Sequence, residues 1–152
     1  MAMQKTNIGV ILAVALTGIV VSVLAASLLM AYQRVPSNGN VKAVGVSVYW
    51  DSTCTDNVTN INWDFLAPGE TADRTVFIKN AGTLPLVLNM TTDSWEPTPA
   101  SEHITLSWDR ENYLLNTTTP VVQAILTLSV SSEISGVSSF SFEIVITGTE
   151  YT

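Results

Sequence analysis

The sequence lacks most of the side chains that enzymes and metal proteins use. It contains one cysteine, Cys54, and one histidine, His103, among 152 residues. One cysteine excludes an intrachain disulfide and a cysteine-based metal cluster, and one histidine excludes multi-histidine metal sites. No Gly-rich phosphate loop, HExxH string or GxSxG string occurs, and no pair of carboxylates stands out as catalytic. We therefore predict no catalytic residues, no cofactor, no metal site and no enzymatic activity.

Charged residues are also scarce, and basic ones most of all. They make up 12% of the chain, with 6 basic against 13 acidic side chains and a net charge of -7. Soluble domains average roughly 25% charged residues. Since binding to a phosphate backbone needs a basic stripe, this balance argues against nucleic acid as a partner. The low charge indicates an apolar segment, a surface built from Ser and Thr, or both.

A long apolar run follows the first seven residues. Residues 8–31 read IGVILAVALTGIVVSVLAASLLMA and contain no charge. As a helix this run would extend about 36 Å, enough to cross a hydrocarbon core of about 30 Å. We predict a short flank at residues 1–7, then one transmembrane helix or signal anchor at residues 8–31 in contact with the lipid bilayer.

Two other interpretations of the run stay open. A cleaved signal peptide has a shorter apolar core, of about 7–15 residues, before a small-residue cleavage site. Residues 23–26 (VLAA) could serve as such a site, but residues 28–30 (LLM) continue the run beyond it, which favours a retained anchor. A pilin-type leader would be cut before the apolar helix, near residues 5–7.

Beyond the run, the composition is typical of an extracellular domain. It is rich in Ser and Thr, poor in Lys, and carries three glycosylation sequons, at Asn57, Asn89 and Asn116. We predict a single-pass protein of the cell membrane with its C-terminal domain outside. Residues 32–40, with Pro36 and Gly39, are predicted to be a linker, and residues 41–152 a folded domain.

The periodicity in residues 41–152 is two, which is typical of strands. Turn signals such as APGE at residues 67–70 separate the alternating segments. Seven strands are predicted around these inward residues: Val44, Val46, Val48 and Trp50; Ile61, Trp63 and Phe65; Val76 and Ile78; Leu86, Leu88 and Met90; Ile104, Leu106 and Trp108; Val122, Ala124, Leu126, Leu128 and Val130; and Phe140, Phe142, Ile144 and Ile146. We predict an all-β fold, an antiparallel Ig-like sandwich of about seven strands preceded by the N-terminal transmembrane helix.

Several strings in this domain resemble a known group of surface modules. Residues 66–70 (LAPGE) and 75–83 (TVFIKNAGT) are similar to the L-x-P-G … I-x-N-x-G hairpin of camelysin/TasA-like biofilm-matrix proteins and of the archaeal bundling pilins related to them. Residues 44–54, 61–63, 89–97, 106–108 and 140–142 look like small archaeal membrane-anchored proteins of this type. The resemblance implies an exported Ig-like domain, either displayed at the surface or assembled into fibres by β-strand donation.

The expected function is therefore a structural or protein-interaction role at the cell surface, with self-association or another surface protein as the partner. The alternative is a secreted matrix or pilus-like subunit that assembles by strand donation, in which an extended segment completes the sheet of another copy. Residues 33–41 are the candidate donor. Pro36 departs from that pattern, because proline cannot donate a hydrogen bond to a ladder.

A weaker alternative is a carbohydrate- or calcium-binding module. Two groups of loop carboxylates and four tryptophans carry it: Asp51, Asp56 and Asp64; Asp93, Glu96 and Glu102; and Trp50, Trp63, Trp95 and Trp108. Loop carboxylates bind calcium in some proteins, but no D-x-[DN]-x-[DN]-G string occurs here. Three of the tryptophans lie at inward strand positions, where core packing is expected. Residues 92–102 are predicted to be a loop or crossover, which would expose Trp95.

Overall fold

The computed structural model describes residues 35–152. The predicted flank at residues 1–7, the predicted transmembrane helix at residues 8–31, and residues 32–34 lie outside the described part. Within it, we find no helix with the length and apolar character needed to span a membrane.

Residues 35–152 form an all-β fold of two sheets, which confirms the predicted sandwich class. The elements are β1 Val35–Val44, β2 Ser47–Tyr49, β3 Asn60–Leu66, β4 Thr71–Lys79, β5 Leu86–Glu96, a 3-10 helix at Thr98–Glu102, β6 Ile104–Trp108, β7 Leu114–Leu115, β8 Val121–Val130 and β9 Phe140–Glu150. The described part thus has nine strands where seven were predicted. The two additional ones are β1 and the two-residue β7.

The strands divide between a first sheet, in the order β3-β1-β9-β5-β7, and a second sheet, in the order β2-β4-β8-β6. All pairings are antiparallel except that of β1 with β9, which is parallel. The prediction of an antiparallel sandwich is therefore wrong at this pair. The first and last strands of the described domain are far apart in sequence, so no tight hairpin forces them to run in opposite directions.

The core lies between the sheets and is built from alternate residues of each strand. In β9, Phe140, Phe142, Ile144 and Ile146 are buried while the residues between them are half-buried. Full burial of one large apolar side chain contributes about 1.5–3 kcal/mol. The predicted inward positions of β4, β5 and β8 are mostly buried in the same way, because period-two alternation fixes which face meets the core.

The first predicted strand, around residues 44–50, is in fact two strands in different sheets. Gly45 has φ +76, and an added Cβ would lie 2.4 Å from the carbonyl oxygen of Gly148. This conformation, which glycine adopts without strain, carries the chain from the first sheet to the second. Consequently Val44 is exposed, whereas Val46 and Val48 are buried. The apolar alternation continues across the crossing and so conceals it in the sequence.

The predicted linker differs from the structure as well. Strand β1 begins at Val35, so residues 35–40 are paired within the first sheet. Their inward positions are Ser37 and Gly39, both buried, and their outward positions are Asn38 and Asn40, both exposed. The strand has period-two alternation, but between small and polar residues, so the apolar pattern that predicted the other strands is missing.

Candidate functional site

Strand β1 occupies the candidate donor segment and fills a slot in the first sheet. It pairs with β3 on one side and with β9 on the other. At its centre an added Cβ on Gly39 would lie 2.9 Å from Cδ1 of Ile144 and 3.3 Å from Nε1 of Trp63. Trp63 is 1% exposed, and its indole N–H has no hydrogen-bond partner among the described residues. The slot therefore accepts a strand whose central inward residue is glycine.

Pro36 lies where the ladder tolerates it. The parallel pairing with β9 begins one residue later, between Ser37 and Phe140. On its other side Pro36 is in register with Phe65 of β3, and proline is tolerated at the start of a strand. Pro36 therefore does not prevent residues 35–44 from acting as a sheet strand.

A shallow cleft lies beside the start of β1. Its volume is about 530 Å³, and it is lined by Pro36, Asn38, Glu96, Pro97, Ser139, Phe140 and Ser141. Glu96 supplies the only charge among these lining residues. With one carboxylate, two serine hydroxyls and no basic side chain in the lining, the cleft has the chemistry of a polar contact surface.

Trp95 does not lie in a loop as predicted. It belongs to β5 and stacks on Phe142 with a centroid distance of 4.2 Å and an interplanar angle of 8°. Phe140 lies 6.3 Å from the same indole. The predicted loop at residues 92–102 is thus strand as far as Glu96, then the 3-10 helix. An irregular register between Asp93 and Glu96 lets Trp95 cover this end of the core.

The other tryptophans have separate environments. Trp63 is in the core as predicted, Trp108 is half-buried, and Trp50 is 36% exposed after the end of β2. Within the described residues, the stacked aromatic pairs join Trp95, Phe140 and Phe142 to one another, and none joins two tryptophans. The four indoles therefore do not make one stacking platform for a sugar.

The Asp51 carboxylate organises the turn after β2. It accepts hydrogen bonds from the Thr53 hydroxyl, from the backbone N–H of Asp56 at 2.8 Å and from the backbone N–H of Thr55 at 3.0 Å. These bonds, that of Thr53 first, hold the pKa of Asp51 well below its ordinary value. Both carboxylate oxygens of Asp51 accept hydrogen bonds from residues of the same turn, so the carboxylate has a structural role there.

The remaining carboxylates do not gather. Asp64 forms an ion pair with Arg74 at 2.7 Å, a pairing that sequence reasoning missed because the partners are on different sheets. Within residues 35–152, no three His, Cys, Asp or Glu side chains are placed to hold one metal ion.

Cys54 and His103 both lie where the backbone turns. Cys54 has φ +58, its N–H donates to the carbonyl of Asp51 at 3.1 Å, and its side chain is partly exposed. His103 ends the 3-10 helix, donates to the carbonyl of Ala100 at 3.1 Å and accepts from the N–H of Ser131 at 2.8 Å. These hydrogen bonds are made by main-chain atoms, so they assign Cys54 and His103 a role in the backbone turns.

Glu111 is a further residue that the sequence did not single out. Its Oε2 accepts from the indole N–H of Trp108 at 2.6 Å and from the backbone N–H of Met90 at 3.4 Å. Met90 is in the first sheet and Trp108 in the second, so one carboxylate joins the two sheets near their edge. No periodicity marks a loop residue of this kind.

No family model matches the chain, and no curated protein matches it. The resemblance to camelysin/TasA-like modules and bundling pilins therefore stays a prediction from the residues quoted above.

Proposed function

We propose that this protein is a single-pass membrane protein that displays an Ig-like β-sandwich outside the cell, where it has a structural or protein-interaction role. The observation that carries the proposal is the uncharged run at residues 8–31, followed after three residues by a strand of the sandwich. A run of this length is long enough to serve as a bilayer anchor.

The surface of the sandwich supports a display role. The outer face of the first sheet carries a group of amides, Asn38, Asn40, Asn60 and Asn62 on adjacent strands, next to the exposed Lys42 and Phe65. The side chains of Asn60 and Asn40 are joined by a 3.0 Å hydrogen bond. Uncharged polar side chains of this kind keep a surface hydrated and leave it free for contacts with other proteins.

The anchor is tested by the N-terminal sequence of the native protein combined with membrane fractionation. We expect the protein in the membrane fraction after an alkaline wash, with its N-terminus before residue 8. Replacing Leu16 and Val20 together by arginine should release or destabilise it, because each arginine at a helix centre costs about 2.5–3.5 kcal/mol. The control variant Leu16→Ile with Val20→Leu should remain in the membrane. A soluble protein with a mature terminus near Ala26 would contradict the anchor.

A second candidate function is a fibre subunit that assembles by strand donation. It is favoured by the position of β1, which is paired on both sides and seated against Trp63 and Ile144 through Gly39. If β1 left its slot, the segment of another copy could occupy the same place.

Strand donation is tested by locking β1 to its own domain. Asn40 and Glu143 are register partners of β1 and β9, so Asn40→Cys with Glu143→Cys, in a Cys54→Ser background, should form an intramolecular disulfide. Filaments that form only after reduction would support donation. Filaments that form equally well in the oxidised, locked protein would exclude it.

A further inference from the structure

Three of the four edge strands of the sandwich are protected against pairing with another sheet. At β3, Asp64 has φ +61 at a register shift, and Arg74 donates through Nε to the outward carbonyl of Asn62 at 3.0 Å. At β2, residues 56–58 cover the outer edge with two backbone hydrogen bonds. Strand β7 has two residues. Bulges, charges, coverage and shortness are the usual ways in which proteins block edges.

The fourth edge, β6, has no bulge, no charge and no covering strand within the described residues, and the 3-10 helix packs only against its start, where Ile104 is 3% exposed. Its sequence, ITLSW, contains no charge and no proline, and its register with β8 is regular over all five residues. In the described part of the chain, β8 is its only strand neighbour. An uncharged, regular edge of this kind can pair with another strand.

The hydrogen-bond phase of β6 shows which groups are available. The N–H of Ser131 donates to the carbonyl of His103 at 2.8 Å, and that of Asp109 donates to the carbonyl of Ile125 at 3.3 Å. Since bonded and non-bonded residues alternate along an antiparallel pair, the odd-numbered residues of β6 bond to β8. The N–H and C=O groups of Leu106 and Trp108 therefore point away from β8 along the free edge, and those of Ile104 point the same way at the buried start of the strand.

We propose that β6 pairs antiparallel with β6 of a second copy of this chain, about a two-fold axis at Leu106. Each Ile104 then lies opposite Trp108 of the second copy, and each of these pairs can exchange two hydrogen bonds. Beyond the strand ends, His103 lies opposite Asp109 of the second copy, and each Asp109 is ion-paired with Arg110 of its own chain at 3.2 Å. This match of a histidine with a carboxylate at each end of the pair favours a second copy as the occupant and the antiparallel direction as the register.

The direction of β6 determines how the two copies of the dimer would be oriented relative to each other. β6 starts at the end of the sandwich where β8 ends and β4 begins. β1 starts at the same end, because Val35 pairs with Leu66, which lies just before the turn into β4. A two-fold axis through an antiparallel pair reverses one copy. The two N-terminal strands therefore emerge from opposite ends, and the pair joins copies that are anchored in two facing surfaces. This last step rests on the proposed membrane anchor, whereas the β6 pairing does not.

The register is tested by cysteine pairs. Thr105 and Ser107 are exposed and would lie opposite each other across the axis as a non-hydrogen-bonded pair, with Cα atoms about 4.5 Å apart. A disulfide fits that distance. Two Thr105 residues would be about 8 Å apart, too far for a disulfide.

Full-length Thr105→Cys and Ser107→Cys chains, each in a Cys54→Ser background, should therefore form a disulfide dimer when mixed and little dimer alone. Thr75→Cys on β4, mixed with either chain, is the control. Equal crosslinking by the control, or no crosslink in the mixture, would overturn the proposal.

A charge exchange gives an independent test. Thr105→Lys with Ser107→Lys places like charges opposite each other and should weaken the dimer at least about tenfold. Thr105→Glu with Ser107→Glu should do the same, and a mixture of the two variants should restore association. Thr71→Lys with Thr75→Lys on β4 adds the same charge away from the edge and should leave the dimer intact. Failure of the mixture to recover would overturn the register.

The facing-surface arrangement is tested with two vesicle populations. One carries the full-length Thr105→Cys chain and the other the Ser107→Cys chain, both in the Cys54→Ser background. Crosslinks between the populations, with vesicle clustering, are expected. Crosslinks that form only when both chains share one vesicle would overturn this arrangement while leaving the β6 pair intact. Chains that crosslink in solution but do not insert into vesicles would instead refute the proposed anchor.

Discussion

At the scale of single residues, the crossing between the sheets depends on Gly45. Replacing it with alanine would strain a backbone at φ +76 and drive a Cβ into the carbonyl oxygen of Gly148. We expect Gly45→Ala to lower the free energy of unfolding by about 2–3 kcal/mol. Gly136 is the matched control, since it has φ +72 with nothing within 4 Å of an added Cβ. Gly136→Ala should cost about 1 kcal/mol in denaturant titrations. Equal losses would mean that the contact with Gly148 is unimportant.

The turn held by Asp51 gives a pH dependence. Because its folded pKa lies below the ordinary value of 3.8, the unfolded chain binds the proton first as the pH falls. The stabilisation is thus fully present above that pH and decreases as the pH falls further. Asp51→Asn should be less stable than the native chain at pH 7, and the difference should shrink below about pH 4.

Asp56→Asn changes a carboxylate of the same turn that accepts none of these hydrogen bonds, and it is the control. Thermal unfolding from pH 2 to 7 measures all three proteins. A difference between Asp51→Asn and the native chain that does not vary with pH would contradict this account of the turn.

At the scale of elements, Arg74 closes the side of the sandwich between β3 and β4. Its guanidinium pairs with Asp64 at 2.7 Å, donates to the carbonyl of Asn62 and lies 5.6 Å from the Trp63 ring centroid. We expect Arg74→Ala to cost about 1–2 kcal/mol in denaturant unfolding, since it removes a half-exposed ion pair, a hydrogen bond to an edge carbonyl and a cation–π contact.

Asp64→Asn separates these contributions. It removes the ion pair and leaves the bond to the Asn62 carbonyl, so its cost should be about 0.5 kcal/mol. Arg74→Ala should also promote association at higher protein concentration by opening the β3 edge, as followed by light scattering. Equal stability losses in the two variants would assign the whole effect to the ion pair.

Strands with apolar alternation could be predicted from the sequence, and the others could not. Val76 and Ile78, or Phe140 and Phe142, stand out because large inward residues alternate with smaller or polar ones. Strand β1 escaped prediction because its inward positions are Ser37 and Gly39 and it is stabilised by pairing on both sides. Contacts such as those of Arg74 and Glu111 join segments in different sheets, and sequence spacing does not determine them.

At the scale of the whole molecule, the sequence contains an uncharged apolar run at residues 8–31 and the β-sandwich of residues 35–152. The apolar run has the length of a bilayer span, whereas the sandwich buries most of its large apolar side chains between two sheets and leaves eight of them exposed, Phe65 at 58% among them. Three of its four edges are blocked, and the remaining one, β6, is uncharged and regular in its register with β8. The acidic excess lies in the sandwich, where it favours solubility over any particular chemistry.

The single cysteine makes the orientation of the full chain measurable without engineering. Cys54 lies in a partly exposed turn of the sandwich, and the chain has no other thiol. A membrane-impermeant maleimide should therefore label intact cells if the sandwich is outside, and permeabilising the cells should add little further label. Cys54→Ser is the control for background. Label that appears only after permeabilisation would place the sandwich inside the cell. That result would also exclude pairing through β6 between copies anchored in two facing cell surfaces.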